Sequence, residues 1–134
     1  MILIDAGPLV AIANPDEPAH AFALKTLAEQ PPPILSTWPV LAEAAWLLRK
    51  RSDSVHEMLR GFTVGVFELR HLERESLPWI STFLQKYADI GAQLADASLM
   101  YVAERERIDT IFTLDRRDFS VYRTSRNRAL KIVP

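Results

Sequence analysis

Cysteine is absent from this 134-residue chain, which excludes disulfides, thiolate zinc sites and cysteine nucleophiles. Histidine is scarce. His20, His56 and His71 stand far apart and form no metal-ligand spacing. Long apolar runs are missing too. The longest stretch without a charged residue, Gln30 to Ala42, contains Pro31, Pro32, Pro33 and Pro39, and it falls well short of the roughly 20 apolar residues of a membrane span. No basic segment precedes an apolar run at the start, and Asp5 interrupts the first such run, so no signal peptide is expected. What remains is ordinary globular material, 49% hydrophobic and 25% charged. The expectation is one domain over residues 1–134, soluble and cytoplasmic.

The net charge of −1 conceals an asymmetry. Arg116, Arg117, Arg123, Arg126, Arg128 and Lys131 crowd the last stretch of chain against a single acid, Asp118. A basic end is compatible with an anionic partner, and equally with a solvated chain terminus.

Apolar and helical patterns alternate along the chain. Met1–Ile4 is a short continuous apolar run, as in a strand buried on both faces. Further strands are expected at Ile34–Ser36, Val66–Leu69, Thr110–Leu114 and Ala129–Val133. Helical periodicity predicts helices over 8–13, 17–29, 39–50, Ser52 or Ser54 to Arg60, 75–88 and 93–107, with Ser36 or Thr37 capping the third. Strands separated by helices imply crossover connections, hence a mostly parallel sheet of about five strands in a three-layer α/β/α sandwich.

Within this pattern, four acids sit among apolar neighbours. Asp5 is the only polar side chain between Met1 and Ala13. Glu43 stands alone between Pro39 and Leu48. Asp96 is the only charged residue between Ile90 and Ala103, and Asp115 follows Ile111-Phe112-Thr113-Leu114. An isolated buried carboxylate costs several kcal/mol unless it is neutralised or paired. No Lys or Arg lies in the apolar stretches around Asp5, Glu43 or Asp96, so a shared divalent cation answers all four sites at once. Asp5 and Asp115 follow predicted strands, and in open α/β sheets that edge binds ligands. Glu43 and Asp96 fall near the starts of helices that open onto the same edge. Any one of them read alone is a helix cap or turn former, Asp115 for a helix 116–122 and Asp96 for its own first turn. Oxygen-only ligation favours Mg²⁺ or Mn²⁺ over zinc. Trp38, Trp46 and Trp79 are read as core or interface packing.

The ordered set Ile2-Leu3-Ile4-Asp5-Ala6-Gly7-Pro8-Leu9, Val40-Leu41-Ala42-Glu43, Tyr87-Ala88-Asp89, Leu94-Ala95-Asp96-Ala97-Ser98-Leu99 and Thr113-Leu114-Asp115-Arg116-Arg117-Asp118-Phe119 resembles the PIN-domain ribonucleases, in particular the VapC-type toxins of toxin–antitoxin systems. The resemblance runs the length of the chain. It implies a PIN-like fold and metal-dependent endoribonuclease chemistry, with Asp5, Glu43, Asp96 and Asp115 as the catalytic, metal-binding acids and Mg²⁺ or Mn²⁺ as cofactor. It implies products with 5′-phosphate and 3′-hydroxyl ends, a cognate antitoxin covering the acidic groove, and a homodimer. Many members carry Ser or Thr where this chain has Gly7. Asp89 and Asp118 are further acids near the motif, Asp118 as a metal-water or substrate contact, and Arg116 and Arg117 are placed to reach substrate phosphates, with Arg123, Arg126 and Arg128 extending the track. A competing reading is a non-catalytic RNA- or protein-binding regulator on the same fold. A receiver-like phosphoryl-transfer domain fits less well, because no adjacent acid pair follows the first strand.

Overall fold

The computed structural model describes all 134 residues, Met1–Pro134. Five strands form one fully parallel sheet: β1 (Ile2–Ile4), β2 (Ile34–Thr37), β3 (Glu68–Arg70), β4 (Thr110–Phe112) and β5 (Lys131–Val133), in spatial order β3-β2-β1-β4-β5. Seven α-helices connect them: α1 (Ala6–Ala13), α2 (His20–Glu29), α3 (Trp38–Leu47), α4 (Ser52–Thr63), α5 (Leu77–Lys86), α6 (Leu94–Glu106) and α7 (Arg116–Val121). Each crossover runs through helices, and its usual right-handedness distributes those helices over both faces of the sheet. Helices α1, α2 and α4 pack together, α5 packs on α6, and α3 touches both groups. The result is the three-layer α/β/α sandwich.

Both central strands are wholly buried. Leu3, Ile4, Leu35, Ile111 and Phe112 have no exposed surface and belong to a single apolar core. Burial of each such side chain is worth about 1.5–3 kcal/mol, and this is why continuous apolar runs rather than alternating ones mark β1 and β4. No helix is long and apolar enough to cross a membrane.

The chain winds from β1 outward through β2 to β3, then returns to the other side of β1 for β4 and β5. The direction of winding therefore reverses between β1 and β4, the adjacent pair registered Leu3 to Ile111 and Ile4 to Phe112. Helices leave the carboxyl ends of these two strands in opposite senses and open a crevice there. Asp5 and Asp115 follow those two strands.

Several predicted boundaries move. Pro15 and Pro18 keep residues 14–19 in turns, so α2 begins at His20 rather than at residue 17. The third strand is Glu68–Arg70 rather than 66–69. It is an edge strand held only by β2, while Phe67 turns into the core. The first strand-connecting cap is also different from expectation. Thr37 stands at the N-cap of α3 without capping it, because its hydroxyl is shared with that of Ser98 at 2.7 Å. Nor does Ser52 or Ser54 cap α4.

Candidate active site

Asp5, Glu43, Asp96 and Asp115 line one cavity of about 450 Å³ at the carboxyl edge of the sheet, together with Asp118, Gln93, Gly7 and Gly91. Four elements supply the acids. Asp5 is the N-cap of α1 and Asp115 that of α7. Glu43 projects from α3, and Asp96 lies in the first turn of α6. Both acids cap their helices, Asp5 accepting from the Ala6 N–H and Asp115 from the Asp118 N–H.

Buried hydroxyls set the geometry. Asp5 is only 7% exposed. One of its oxygens accepts from the Ala6 N–H at 2.8 Å, and the other accepts from the Thr113 hydroxyl at 2.9 Å. Thr113 Oγ1 in turn accepts from the Asp115 N–H at 2.9 Å, and Asp115 accepts from the Asp118 N–H at 3.2 Å. A single threonine thus couples the acids that follow β1 and β4. On the other side, the Tyr122 hydroxyl donates to Asp96 Oδ2 at 2.7 Å. Ser36 donates to the Ile4 carbonyl at 3.0 Å, and the Thr37–Ser98 pair draws the start of α6 against the end of β2. No buried side-chain polar atom lacks a partner.

The charge is not balanced in the same way. The ion pairs of the molecule are Arg51–Asp16, Arg60–Glu57, Arg70 with Glu68 and Glu106, and Arg105–Glu106. None involves a cavity acid. Burial, reinforced by Asp96 and Glu43, pushes Asp5 up to about 7 despite its two hydrogen bonds. Burial together with Asp96 and Asp115 raises Glu43 above the usual carboxylate range. Asp96 is raised mainly by burial, against the lowering effect of Tyr122 and the Gln93 N–H. Asp118 is raised by burial and by Asp115. The Tyr122 hydroxyl is pushed well up by burial and its bond to Asp96, so it stays a donor.

A cavity lined by five carboxylates without a cationic side chain fits a hard divalent cation. No three acids or histidines form a ready-made cage. Mg²⁺ does not require one, since it is held through one or two carboxylates and keeps several waters.

The remaining sequence candidates separate. Asp118 joins the cavity wall, whereas Arg116 and Arg117 do not line it. The Arg116 guanidinium donates to the Pro134 carbonyl at 2.6 Å. Asp89 is exposed in the 3₁₀ turn Ala88–Ile90, outside the cavity. Trp38 and Trp46 are 57% and 64% exposed rather than core, and only Trp79 packs inward, its indole N–H donating to Glu104 at 2.7 Å. Sequence reasoning missed Tyr122 and the hydroxyl of Thr113. Thr113 carried a signal, a β-branched polar residue closing an apolar strand two positions before an acid. Tyr122 carried none, because nothing local links it to Asp96.

No family model matches the chain. It is 29% identical over 135 residues to Ribonuclease VapC26 of Mycobacterium tuberculosis (strain ATCC 25618 / H37Rv), covering 99% of this chain and 100% of that one. Its fold matches the crystal structure of Mycobacterium tuberculosis VapC20, a Sarcin-Ricin loop cleaving toxin, with a TM-score of 0.79 and 18% identity over 87% of this chain and 92% of the other. The chain is thus similar along its whole sequence to one VapC ribonuclease and shares the fold of a VapC toxin.

Proposed function

We propose that the protein is a metal-dependent endoribonuclease that hydrolyses RNA phosphodiester bonds, acting in the cytoplasm as the toxin of a toxin–antitoxin pair. The observation that carries this reading is the gathering of Asp5, Glu43, Asp96, Asp115 and Asp118 on one cavity with no cationic side chain in its lining and no ion pair to any of them.

Asp5, Asp96 and Asp115 would hold Mg²⁺ or Mn²⁺, directly or through water, with Glu43 completing the set. The ion, when bound, supplies an acidified water nucleophile and neutralises charge on the phosphate. The protein's own groups do the positioning. The Ala6 N–H and Thr113 fix the two oxygens of Asp5, and Tyr122 fixes one oxygen of Asp96. Glu43, raised by its partial burial and then by its acidic neighbours, is suited to take a proton from an attacking water.

The relatives' names supply the toxin context, and with it a cognate antitoxin. A cationic side chain from such a partner, entering the cavity, would meet the charge demand that the acids create. A homodimer belongs to the same reading. It is supported by Trp38, Leu77 and Leu94, all more than half exposed, around one shallow cavity. The test is RNA cleavage by the wild type and by Asp5→Asn and Asp96→Asn with Mg²⁺ or Mn²⁺. Cleavage by the wild type alone is expected. Equal, metal-independent cleavage by all three would reject the mechanism. Binding of RNA without cleavage under any metal would make the protein a non-catalytic regulator.

A further inference from the structure

Away from the acids, the segment following α7 is not a frayed end. Thr124 and Leu130 are buried. Within the turn, the Thr124 N–H donates to the Arg128 carbonyl, the Asn127 N–H to the Thr124 carbonyl, and the Arg128 N–H to the Thr124 hydroxyl. Glu104 of α6 grips the turn from outside. It accepts from the Ser125 N–H and hydroxyl and from the Trp79 indole.

This clamped turn forms one wall of two cavities, which share Thr124 and Ser125. One, of about 320 Å³, has an apolar floor of Ala103, Ile108 and Leu130 and carries Arg107, Arg126 and Arg128. The other, of about 450 Å³, is bordered by Trp79, Lys86, Tyr87 and Arg123. The arginines without any side-chain hydrogen bond or ion pair are Arg74, Arg107, Arg117, Arg126 and Arg128. Three of these five line the first cavity. Glu104 and Asp109 also line this cavity, but the Glu104 carboxylate accepts from neutral donors and Asp109 accepts from the Thr110 hydroxyl, so neither forms an ion pair with these arginines. Arg107 at the end of α6 and Arg126 and Arg128 on the clamped turn thus present three uncommitted guanidiniums to one cavity, and such groups pair readily with phosphate.

The groove is also tied to the acid cavity. The Arg123 N–H donates to the Tyr87 hydroxyl at 2.9 Å. The Tyr87 ring packs edge-on against Tyr122, with centroids 5.0 Å apart, and Tyr122 holds Asp96. From there the chain descends past Ser125 to Leu130, immediately before β5. The groove therefore runs from beside the acids toward the amino edge of the sheet, as required of a track for a polymer cut at one end.

We propose that these two cavities form one groove that binds the phosphate backbone of the RNA strand away from the scissile bond, through Arg107, Arg126 and Arg128 and, nearer the acids, Lys86 and Arg123. The proposal rests on the nuclease reading above. A basic groove beside a fixed aromatic surface is the usual way a protein holds single-stranded nucleic acid without reading its sequence.

The test uses the full chain with Arg107, Arg126 and Arg128 all changed to Gln, and Arg74→Gln as a control outside the groove. All four side chains are exposed, and thermal melts check folding. A variant that unfolds is replaced by the Arg126→Gln/Arg128→Gln pair, and Arg126→Lys/Arg128→Lys is expected to retain most binding. Affinity for a labelled single-stranded RNA of about 20 nucleotides is measured by anisotropy with EDTA across a salt series. Loss of three phosphate contacts is expected to weaken binding about tenfold or more and to flatten the log–log salt slope by about 2. If the wild type cleaves RNA while the triple variant keeps its affinity and salt slope, the groove proposal is overturned and the nuclease reading stands. Unchanged RNA binding with loss of a co-purifying acidic protein would also overturn it, in favour of a protein-docking surface. No cleavage and no RNA binding by the wild type would remove the nuclease reading itself.

Discussion

The two ends of helix α6 treat their acids in opposite ways. Asp96, in the first turn, is raised above the usual carboxylate range by burial and by the acids facing it, although Tyr122 and the Gln93 N–H pull it down. Glu106, in the last turn, is partly desolvated as well, yet the Arg70 and Arg105 guanidiniums outweigh that and hold it below its usual value. The helix macrodipole alone would produce the reverse order, because it favours anions at the amino end and disfavours them at the carboxyl end. Partners therefore dominate over position in the helix. One end of α6 is a closed ion-pair network, while the other is a carboxylate cluster left open for a cation that the chain itself does not supply.

The sharpest way to break this contrast is to remove charge at the open end. Asp5→Asn is expected to reduce RNA cleavage by about 10²-fold or more, roughly 3 kcal/mol of barrier, while making the fold more stable. Asp5 has an ordinary value of 3.8 and is pushed up to about 7 in the fold. Between these values the folded state holds more protons than the unfolded state, so wild-type stability falls as pH rises from about 4 to about 7. A rise of this size is worth about 4 kcal/mol. The variant should match the wild type near pH 4 and exceed it by up to that amount at pH 8, as read by urea melts. Asparagine can keep the Ala6 bond, and Thr113 can accept in place of donating. Equal stability at pH 8 would show that the acid cluster is not strained.

Next in size is the effect of the cation. Mn²⁺ at about ten times its Kd should stabilise the wild type by about 1.4 kcal/mol. The Asp5→Asn/Asp96→Asn double variant should show no shift of Tm on the same addition, and chelation should reverse the wild-type gain. A gain that survives in the double variant would place the binding elsewhere.

The closed end should respond oppositely. Glu106→Gln is expected to lose about 1 kcal/mol at neutral pH, the upper range for a partly exposed pair, with RNA cleavage unchanged. Its depressed pKa reverses the sign found for Asp5. The stabilisation is present above its ordinary value of 4.5 and disappears as pH falls through the folded value. Denaturation curves of the two proteins should therefore converge in acid.

The smallest effect separates backbone propensity from charge. Gly7 lies in the first turn of α1 at the cavity edge, and an added Cβ would meet only the Leu114 side chain at 3.6 Å, an ordinary contact. Gly7→Ala should add about 0.5–1 kcal/mol through helix propensity. The pH trend set by Asp5 should be unaltered.

Much of this was legible because the signals were local. The run Met1–Ile4 announces a strand buried on both faces, Thr110–Leu114 one of β-branched and aromatic type, and an acid following each is conspicuous against its neighbours. Glu43 stands out for the same reason, an ionised group in a helix with no polar company. The edge strand Glu68–Arg70 was displaced in the reading because it is only half-buried, so its alternation is weak. Trp38 and Trp46, read as core or interface packing, lie outside the core, because bulk and apolarity do not reveal which side of a helix a layer will cover. Arg116, read as a substrate contact, donates to the Pro134 carbonyl, a pairing that no local signal announces. Two residues that happen to be adjacent in the folded chain leave no trace in local sequence.

From the order of residues alone came the alternation of strands and helices, the four acids, and the need for something positive to join them, since burial cost is a property of residue type and apolar surroundings. Which side of β1 received β4, how Thr113 came to bridge Asp5 and Asp115, and why Tyr122 reached Asp96 were decided only by packing. Those contacts join positions 108, 2 and 26 residues apart. The two longer ones have free energies that depend on crossover handedness and core shape, which no local stretch of sequence contains.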